Sequence, residues 1–358
     1  MKAARFYGSR DVRIESIEAP SASDDRVLIA VEWCGICGSD LNEYVRGPMA
    51  VPSPPRGPHP LTGELLPVTM GHEFSGRVVQ APSSTLPPGT PVVVDPRLFC
   101  SGCIPCSTTA TNCCDQIGFR GISGGGGGLS ELVAVPPQMV YALPPGTDLA
   151  AAALIEPLTV GWHGVRLSGL QEFRDVPVLV VGAGPVGVAV VYVLRAHGAN
   201  RIFVAEPAQK RREFLADMPE VVMVMDPAEV PVADKCREMT GGEGVAVVID
   251  CAGAQAGFDA GCDALRFRGQ HINLAAPKIP LAIPWYLTMK REALLKSSLA
   301  YDEADFRAVV DAYVAGRFEG VDRMITRRIP LEEVVEKGFE ELTRPNDHIK
   351  ILATPRGV

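Results

Sequence analysis

The sequence predicts an α/β protein of two domains, one β-rich and one a doubly wound parallel sheet. Its 358 residues exceed the usual size of one domain, about 100–200 residues. From residue 178 an apolar strand enters a glycine turn and a helix, and further short strands alternate with helical or polar segments, which indicates a parallel sheet. Residues 1 to about 150 instead show short strands between Pro- and Gly-rich loops, an all-β pattern.

Composition excludes several classes of protein. The chain is 47% hydrophobic and 21% charged, which argues against a disordered or fibrous protein. Its formal net charge of −8 offers no basic surface for nucleic acid or anionic lipid, so we expect neither as a partner. The uncharged run 176–194 is long enough to suggest a membrane span, but three glycines and Pro185 interrupt it. The N-terminal residues lack the apolar core of a signal peptide, so we expect a cytoplasmic protein.

Four of the ten cysteines are spaced as metal ligands. Cys100, Cys103, Cys106 and Cys114 form a C-x₂-C-x₂-C-x₇-C pattern. Four thiolates brought together by tight turns predict a closed, structural zinc site. Cys113 competes for the fourth place, and an iron–sulfur cluster or a chance group of buried thiols are the alternative interpretations.

A second set of candidate ligands comes from separate segments. Cys37, His72, Glu73 and Glu156 supply one thiolate, one imidazole and one or two carboxylates. Such a set falls short of a closed cage and leaves a coordination position open, as a catalytic zinc requires. Each residue is weak evidence alone, because a lone cysteine is more often a small core residue.

The glycine turn predicts a dinucleotide site. The segment Gly182-Ala183-Gly184-Pro185-Val186-Gly187 has the G-x-G-x-x-G spacing that permits a tight turn and close approach of a pyrophosphate. A second strand ends in Glu206, 19 residues after Gly187, where an acid accepts hydrogen bonds from ribose hydroxyls, so NAD is favoured. Arg211 and Arg212 leave NADP as an alternative, and a glycine turn without a cofactor is the other.

Further strand ends are expected beside the cofactor. Ligands of open α/β sheets lie beyond the carboxyl ends of the strands. This rule places Cys251 and Ala252, after one strand, and Leu274, after the next, among the candidate cofactor contacts.

Two loops stand out by composition. Residues 46–67 are rich in proline, and we interpret them as a long surface loop or lid. Residues 123–128 contain five consecutive glycines without a strand-to-helix context, and we interpret them as a flexible crossing.

These motifs together resemble the zinc-dependent medium-chain alcohol dehydrogenases, nearly end to end. Within that family the chain is most similar to the branch of the (R,R)-2,3-butanediol and sorbitol dehydrogenases, of fungal type. The resemblance implies a GroES-like catalytic domain over residues 1–157 and 297–358, and an inserted Rossmann NAD-binding domain over 158–296. The active site is then expected in the cleft between them.

The resemblance also implies roles for individual residues. Cys37 and His72 would hold the catalytic zinc with Glu73 or Glu156, which the sequence does not rank, and the four-cysteine lobe would hold a second zinc. The catalytic zinc would polarise the oxygen of an alcohol or ketone substrate while hydride passes to or from the nicotinamide. Ser39 would pass on the hydroxyl proton, although it is equally suited to cap the following helix.

One departure from the branch is Asn42, at a position where relatives commonly carry histidine. Because asparagine does not titrate, a proton relay through this position is in doubt. A biosynthetic reductase of a specialised metabolite and a non-catalytic NAD- or zinc-binding protein are therefore kept as alternatives. A homodimer or homotetramer is expected from the family, through an edge strand near residues 279–283.

Overall fold

A computed structural model describes residues 1–82, 86–277 and 279–357. The chain divides into two compact units. Unit 1 comprises Met1–Glu156, Asp302–Ala315 and Gly320–Val358, and unit 2 comprises Pro157–Tyr301 and Gly316–Glu319.

The strands, in chain order, are β1 (Lys2–Gly8), β2 (Asp11–Ser16), β3 (Val27–Gly35), β4 (Val68–Thr69), β5 (Glu73–Gln80), β6 (Pro91–Val94), β7 (Arg97–Leu98), β8 (Gly118–Phe119), β9 (Leu132–Val135), β10 (Val140–Ala142), β11 (Val178–Val181), β12 (Ile202–Ala205), β13 (Val221–Met225), β14 (Val245–Asp250), β15 (Leu265–Asn273), β16 (Leu294–Ser297), β17 (Ile325–Pro330) and β18 (Lys350–Thr354).

The α-helices are α1 (Gly38–Arg46), α2 (Ile104–Ser107), α3 (Leu149–Ala152), α4 (Ile155–Arg166), α5 (Pro185–Ala196), α6 (Gln209–Ala216), α7 (Val232–Met239), α8 (Gln255–Ala264), α9 (Trp285–Arg291) and α10 (Glu303–Val314). A π-helix covers Val334–Glu340, and short 3₁₀ helices cover Thr111–Cys113, Pro137–Met139, Val321–Met324 and Leu331–Glu333.

Unit 1 is built on a seven-stranded sheet with the order β10-β6-β5-β3-β18-β17, in which β9 also pairs with β3. A three-stranded sheet, β2-β1-β4, and the small pair β7-β8 complete its strands. The central strand β3 alternates little because most of its side chains are buried. Its carboxyl end lies between β5 and β18, with Gly35 opposite both Glu73 and Leu352, so three distant segments meet at one point.

Unit 2 is a six-stranded parallel sheet with the order β13-β12-β11-β14-β15-β16. This is the Rossmann order, which reverses direction between β11 and β14. The strand β11 is buried throughout because helices cover both faces of such a sheet, and its four residues are all aliphatic.

The glycine run is a packed segment, and its interpretation as a flexible crossing is wrong. Gly125 donates its N–H to Glu64 at 2.8 Å, and Thr62 donates to the carbonyl of Ser123 at 2.7 Å. Gly124 has a φ of +89°, and a Cβ there would lie 2.8 Å from the Cβ of Glu64. Glycine is needed because the Pro-rich loop crosses directly against this backbone, which also anchors that loop at residues 62–64.

Two predictions from the sequence concern segments of unit 2. Within the single chain, the described residues 279–283 form no strand and β16 ends the sheet order, so the predicted contact between copies at 279–283 stays a prediction. In the part of the chain that the structure describes, no helix has the length and hydropathy needed to cross a bilayer. The apolar run 176–194 divides instead into β11, the glycine turn and most of α5.

Candidate active site

The first turn of α1 carries three polar residues of the site. Cys37 is the N-cap of this helix, and its backbone N–H donates to Asp40 Oδ2 at 2.9 Å. This reciprocal arrangement fixes the turn, since the third helical residue satisfies the N–H of the cap residue. Ser39 lies inside the helix, so its interpretation as the helix cap is wrong. Its Oγ instead lies 3.2 Å from His72 Nε2.

His72 and Glu73 reach the same place from the start of β5. One ligand atom each of Cys37, His72 and Glu73 lies within 4.8 Å of the other two. His72 is 3% exposed and Glu73 is fully buried, whereas Cys37 is partly exposed. The structure thus brings together three of the four residues that the sequence proposes for the catalytic metal.

The electrostatics of this cluster suit a cation. His72 Nδ1 lies 3.3 Å from Asp40 Oδ1, and Asp40 is fully buried. Burial opposes a charge on His72, but the nearby Asp40 and Cys37 outweigh it and raise the pKa of the imidazole well above its ordinary value. A carboxylate behind a ligating histidine fixes the orientation of the ring. The donor set and its charge therefore fit a zinc ion bound through Cys37 and His72.

Glu156 stands apart from this group. It lies in the first turn of α4 and is 4% exposed, outside the three residues whose ligand atoms converge. Burial opposes the charge of Lys350, but Glu73, Cys37 and, with the smallest effect, Glu156 raise the pKa of its ammonium group. Glu156 is thus close to the cluster without sharing its centre.

Sequence reasoning missed three neighbours of the cluster. Asp40 had a signal, since it follows the cap residue Cys37 at the spacing of a capping box. Lys350 had none, because it is 277 residues from Glu73, with which its Nζ makes two hydrogen bonds of 2.7 Å. Phe119, in β8, places its ring edge-on to His72 with centroids 6.2 Å apart.

The four-cysteine lobe forms a second cluster in unit 1. Ligand atoms of Cys100, Cys103, Cys106 and Cys114 lie within 4.8 Å of one another, while Cys113 is exposed and outside the group. Backbone N–H groups of Cys100 and Gln116 each donate to Cys114 Sγ at 3.3 Å. Such N–H···S contacts stabilise thiolates, so the lobe fits a four-thiolate metal site.

A cavity of about 600 Å³ in unit 2 is lined in part by the predicted cofactor residues. Six of them line it, namely Gly182, Gly184, Glu206, Arg211, Cys251 and Ala252. Glu206 is 4% exposed and accepts the N–H of Ala183 at 2.6 Å and that of Ala208 at 2.9 Å. The carboxylate of Glu206 therefore holds the backbone of the glycine turn in place. Its remaining lone pairs can accept hydrogen bonds from a ligand.

Four other predicted residues do not line this cavity. Pro185 and Val186 open α5, and Gly187 lies under the turn, where a Cβ would be 1.9 Å from the carbonyl oxygen of Gly182. The third glycine thus permits close packing rather than ligand contact. Leu274 follows β15, and its side chain packs on Gly164.

The cavity also has walls that the sequence did not indicate. They come from the loops after β12 and β13 and from the start of α8, and include Pro207, Val230, Pro231 and Gly257. Arg212, proposed with Arg211 as an NADP contact, is engaged elsewhere. It forms a 2.8 Å ion pair with Asp226 and donates to the carbonyls of Glu206 and Pro207.

Comparisons with known proteins agree with this architecture. A family model of the alcohol dehydrogenase GroES-like domain matches residues 23–145, and one of the zinc-binding dehydrogenases matches residues 185–315. The chain is 35% identical to (R,R)-butanediol dehydrogenase of Bacillus subtilis, over 99% of this chain and 100% of the relative. It is 34% identical to (R,R)-butanediol dehydrogenase of Saccharomyces cerevisiae, over 99% and 98%.

A solved structure shows the same fold along the whole chain. The crystal structure of 2R,3R-butanediol dehydrogenase from Bacillus subtilis superimposes with a TM-score of 0.90 at 34% identity, covering 99% of both chains.

The fold and the two clusters define a zinc-binding oxidoreductase that uses a nicotinamide cofactor. More particularly, the chain belongs to the zinc-dependent medium-chain alcohol dehydrogenase family, in the group that contains the butanediol dehydrogenases. The predicted GroES-like and Rossmann folds are confirmed.

Proposed function

We propose that the protein is an NAD-dependent zinc dehydrogenase that interconverts a vicinal diol and its hydroxyketone, with 2,3-butanediol the best candidate and polyols the next. The observation that carries this proposal is the convergence of Cys37, His72 and Ser39 in one partly buried cluster. The diol is suggested by the butanediol dehydrogenases that match the chain from end to end.

Each residue of the cluster has a task in this reaction. Cys37 and His72 would hold the zinc ion, which would act as a Lewis acid on the substrate oxygen. Asp40 orients His72 through Nδ1. Ser39 Oγ, beside His72, receives the proton that leaves the substrate hydroxyl. Asn42 is exposed on α1 and does not titrate, so the proton continues from Ser39 by another route.

We propose two zinc ions per chain, one in each cluster. The active-site cluster mixes ligand types and has charged neighbours, whereas the lobe offers four thiolates. A set of four thiolates closes the coordination sphere and suits a structural role, and the mixed set suits a catalytic one.

NAD is the preferred cofactor because Glu206 lines the cavity as a buried carboxylate. A carboxylate there accepts hydrogen bonds from ribose hydroxyls and repels a 2′-phosphate. Arg211 lines the same cavity and leaves NADP as the weaker alternative. We expect kcat/KM for NAD to exceed that for NADP by about 100-fold, since one buried charge contact is worth roughly 2–3 kcal/mol. Glu206→Gln should reduce the ratio of kcat/KM for NAD to kcat/KM for NADP. Arg211→Gln should lower the rate with NADP further.

A homodimer is proposed through the edge of the unit 2 sheet, with a homotetramer as the alternative. Among the described residues, β16 pairs with β15 and ends the sheet order, and the neighbouring side chains Trp285, Tyr286 and Met289 are exposed. An unpaired strand beside an apolar patch is a ready surface for a second copy. Sedimentation should give a dimer that Leu294→Pro dissociates, whereas Ile104→Lys, at an exposed apolar residue of the lobe, should leave it intact.

A cytoplasmic location is proposed because all ten cysteines are free in the described chain. Cysteine thiols stay reduced in the cytosol, whereas disulfides form in exported proteins.

The experiment that tests the function is NADH formation with the stereoisomers of 2,3-butanediol, with sorbitol and xylitol beside them. We expect turnover of one butanediol stereoisomer above the others, and of the polyols at a lower rate. Turnover of none, by a protein that carries two zinc ions per chain, would contradict the substrate class and favour reduction of a different metabolite.

A further inference from the structure

A second cavity, of about 300 Å³, lies in unit 1 and has no role in the function proposed above. Its walls come from β1, β4 and β9 and from the glycine run, and none of the candidate metal ligands lines it. The charged side chains at this cavity are those of Arg5, Arg26, Glu18 and Glu64, and we call it the arginine cavity. Its size is at the lower end of the range for ligand sites, so it suits a small ligand.

The guanidinium group of Arg5 is only partly used by the protein. Its Nη1 donates to Thr69 Oγ1 at 3.1 Å, and its Nη2 donates to the carbonyl of Pro67. Its Nε is buried and has no hydrogen-bond partner among the described residues. Within that part of the chain Arg5 also forms no ion pair. Both of its partners are neutral oxygen atoms, so the positive charge of Arg5 lacks a counter-charge there.

A second guanidinium group without an ion pair in the described chain lies behind the cavity wall. Arg120 is 3% exposed, and it donates to the carbonyls of Gly125 and Ala134 and to the sulfur of Met139. Gly125 and Ala134 both line the arginine cavity, so Arg120 lies one backbone layer behind it. Buried charges in proteins are normally paired, and an anion in the cavity would provide the counter-charge.

Arg26 adds to the positive charge of this region. Its Nε lies 3.4 Å from Asp25 Oδ2, in a side chain that is 76% exposed, and such exposed pairs are weak. Burial and then Arg26 lower the pKa of Arg120 to about 10, against an opposing effect of Glu64. The guanidinium groups of Arg26 and Arg120 are therefore close enough to repel each other, and an anion beside them would relieve this repulsion.

The two carboxylates at the cavity oppose an anion only in part. Glu64 Oε1 accepts the N–H of Gly125 at 2.8 Å, which holds this carboxylate at the wall. Glu18 is exposed, so water and salt screen its charge. Counting Arg120, three guanidinium groups and two carboxylates surround the cavity. Its local charge is thus positive, in a chain whose formal net charge is −8.

We propose that the arginine cavity binds a small oxyanion, a phosphate or carboxylate group, through Arg5 and Arg26. The planar fork of a guanidinium group matches the paired oxygen atoms of both kinds of anion. Arg120 adds attraction from behind the wall without contact. Because Glu18 and the net charge of the chain act against binding, we expect a millimolar Kd. The site uses neither the metal clusters nor the nicotinamide cofactor, so this inference does not rest on the proposed function.

The test is titration calorimetry with inorganic phosphate and with malonate, at an ionic strength held constant with NaCl. NADH is present throughout, because the glycine turn at the start of α5 is a second place where an anion can bind. The variants are Arg5→Gln, Arg5→Lys, Arg26→Gln and Glu18→Gln. Arg13→Gln is the matched control, since this arginine of β2 pairs with Asp11 at 2.7 Å and lies outside the cavity lining.

We expect Arg5→Gln and Arg26→Gln each to raise Kd about tenfold, as for loss of one charge-assisted hydrogen bond. Arg5→Lys keeps the charge without the fork and should raise Kd about threefold. Glu18→Gln should lower Kd about twofold, because it removes a repelling charge. Arg13→Gln should leave Kd unchanged. Binding of phosphate alone would assign a phosphate ligand, and binding of malonate alone a carboxylate ligand.

Three results would overturn the proposal. They are absence of binding of either anion to the unaltered protein, an unchanged Kd in both Arg5→Gln and Arg26→Gln, and an equal loss of affinity in Arg13→Gln, which would show attraction to surface charge only. Arg5 joins β1 to β4 through Thr69, so Arg5→Gln can impair folding. In that case Arg26→Gln and Glu18→Gln, both outside the strands, still decide. NADH formation from a diol bears on the proposed function alone.

Discussion

The two candidate metal-binding clusters of unit 1 are constructed in opposite ways. The lobe takes four identical ligands from residues 100–114, and backbone N–H groups are the donors to its sulfur atoms. The active-site cluster takes three kinds of ligand from separate segments and adds two charged residues, Asp40 and Lys350, behind them. The lobe thus offers the ligands of a closed site, whereas the other cluster has charged residues beside its candidate ligands. Variants in each cluster test this contrast.

The largest effect is expected from removing a ligand of the active-site cluster. Cys37→Ala should lower the zinc content from two to about one per chain and reduce turnover roughly a thousandfold or more, since the Lewis acid is lost. Metal analysis and NADH formation check this. Cys113→Ala, at an exposed cysteine outside both clusters, should change neither. If Cys37→Ala kept two zinc ions per chain, Cys37 would not be a ligand, and the contrast between the two clusters would be wrong.

The lobe should respond in stability rather than in chemistry. Cys103→Ser should also remove one zinc, but its main effect is a loss of several kcal/mol in the free energy of unfolding, because metal binding is coupled to folding there. Thermal unfolding and kcat per folded molecule separate the two effects. Cys113→Ser serves as the matched thiol control. Full stability without the lobe zinc would show that this metal does not hold the structure.

A smaller effect is expected at Ser39. Removal of its hydroxyl in Ser39→Ala should lower kcat roughly 10–100-fold, as for loss of a proton-transfer group. The zinc content should stay at two per chain, and Ser39→Thr should recover most of the rate. The pH profile of kcat is the decisive measurement, because a purely structural role would leave its shape unchanged.

The smallest effect distinguishes the thiols of the zinc-free lobe. Hydrogen bonds from the N–H groups of Gly102 and Cys103 lower the pKa of Cys100 to about 7, while burial raises the pKa of Cys106 to about 12. A lower thiol pKa means more thiolate near neutrality, so Cys100 should be alkylated faster than Cys106 at pH 7, and its rate should fall as the pH is lowered. Peptide mapping after brief iodoacetamide labelling compares the two cysteines, under conditions in which circular dichroism shows that the zinc-free protein keeps its fold. Equal labelling of both would contradict the assigned local environments.

What the sequence could predict follows the same division. The lobe and the glycine turn depend on residues close in the chain, and spacing alone indicated both. The role of Gly124 was missed because the need for glycine arises from Glu64, which lies sixty residues earlier. Lys350 was missed for the same reason, since a lone lysine near a strand start has no pattern that points to a distant carboxylate. Tertiary contacts of single residues leave no periodicity to find.

The position of β18 has a consequence for how the molecule is made. This strand completes the central sheet of unit 1 between β3 and β17, yet the whole of β11–β16 is synthesised before it. The lobe involves only neighbouring residues and can capture its ion on the growing chain. The active-site cluster lacks the partner of Glu73 until residue 350 has emerged, 277 positions later. Contacts of such long sequence separation form late, so the inert metal site should mature first and the reactive one last.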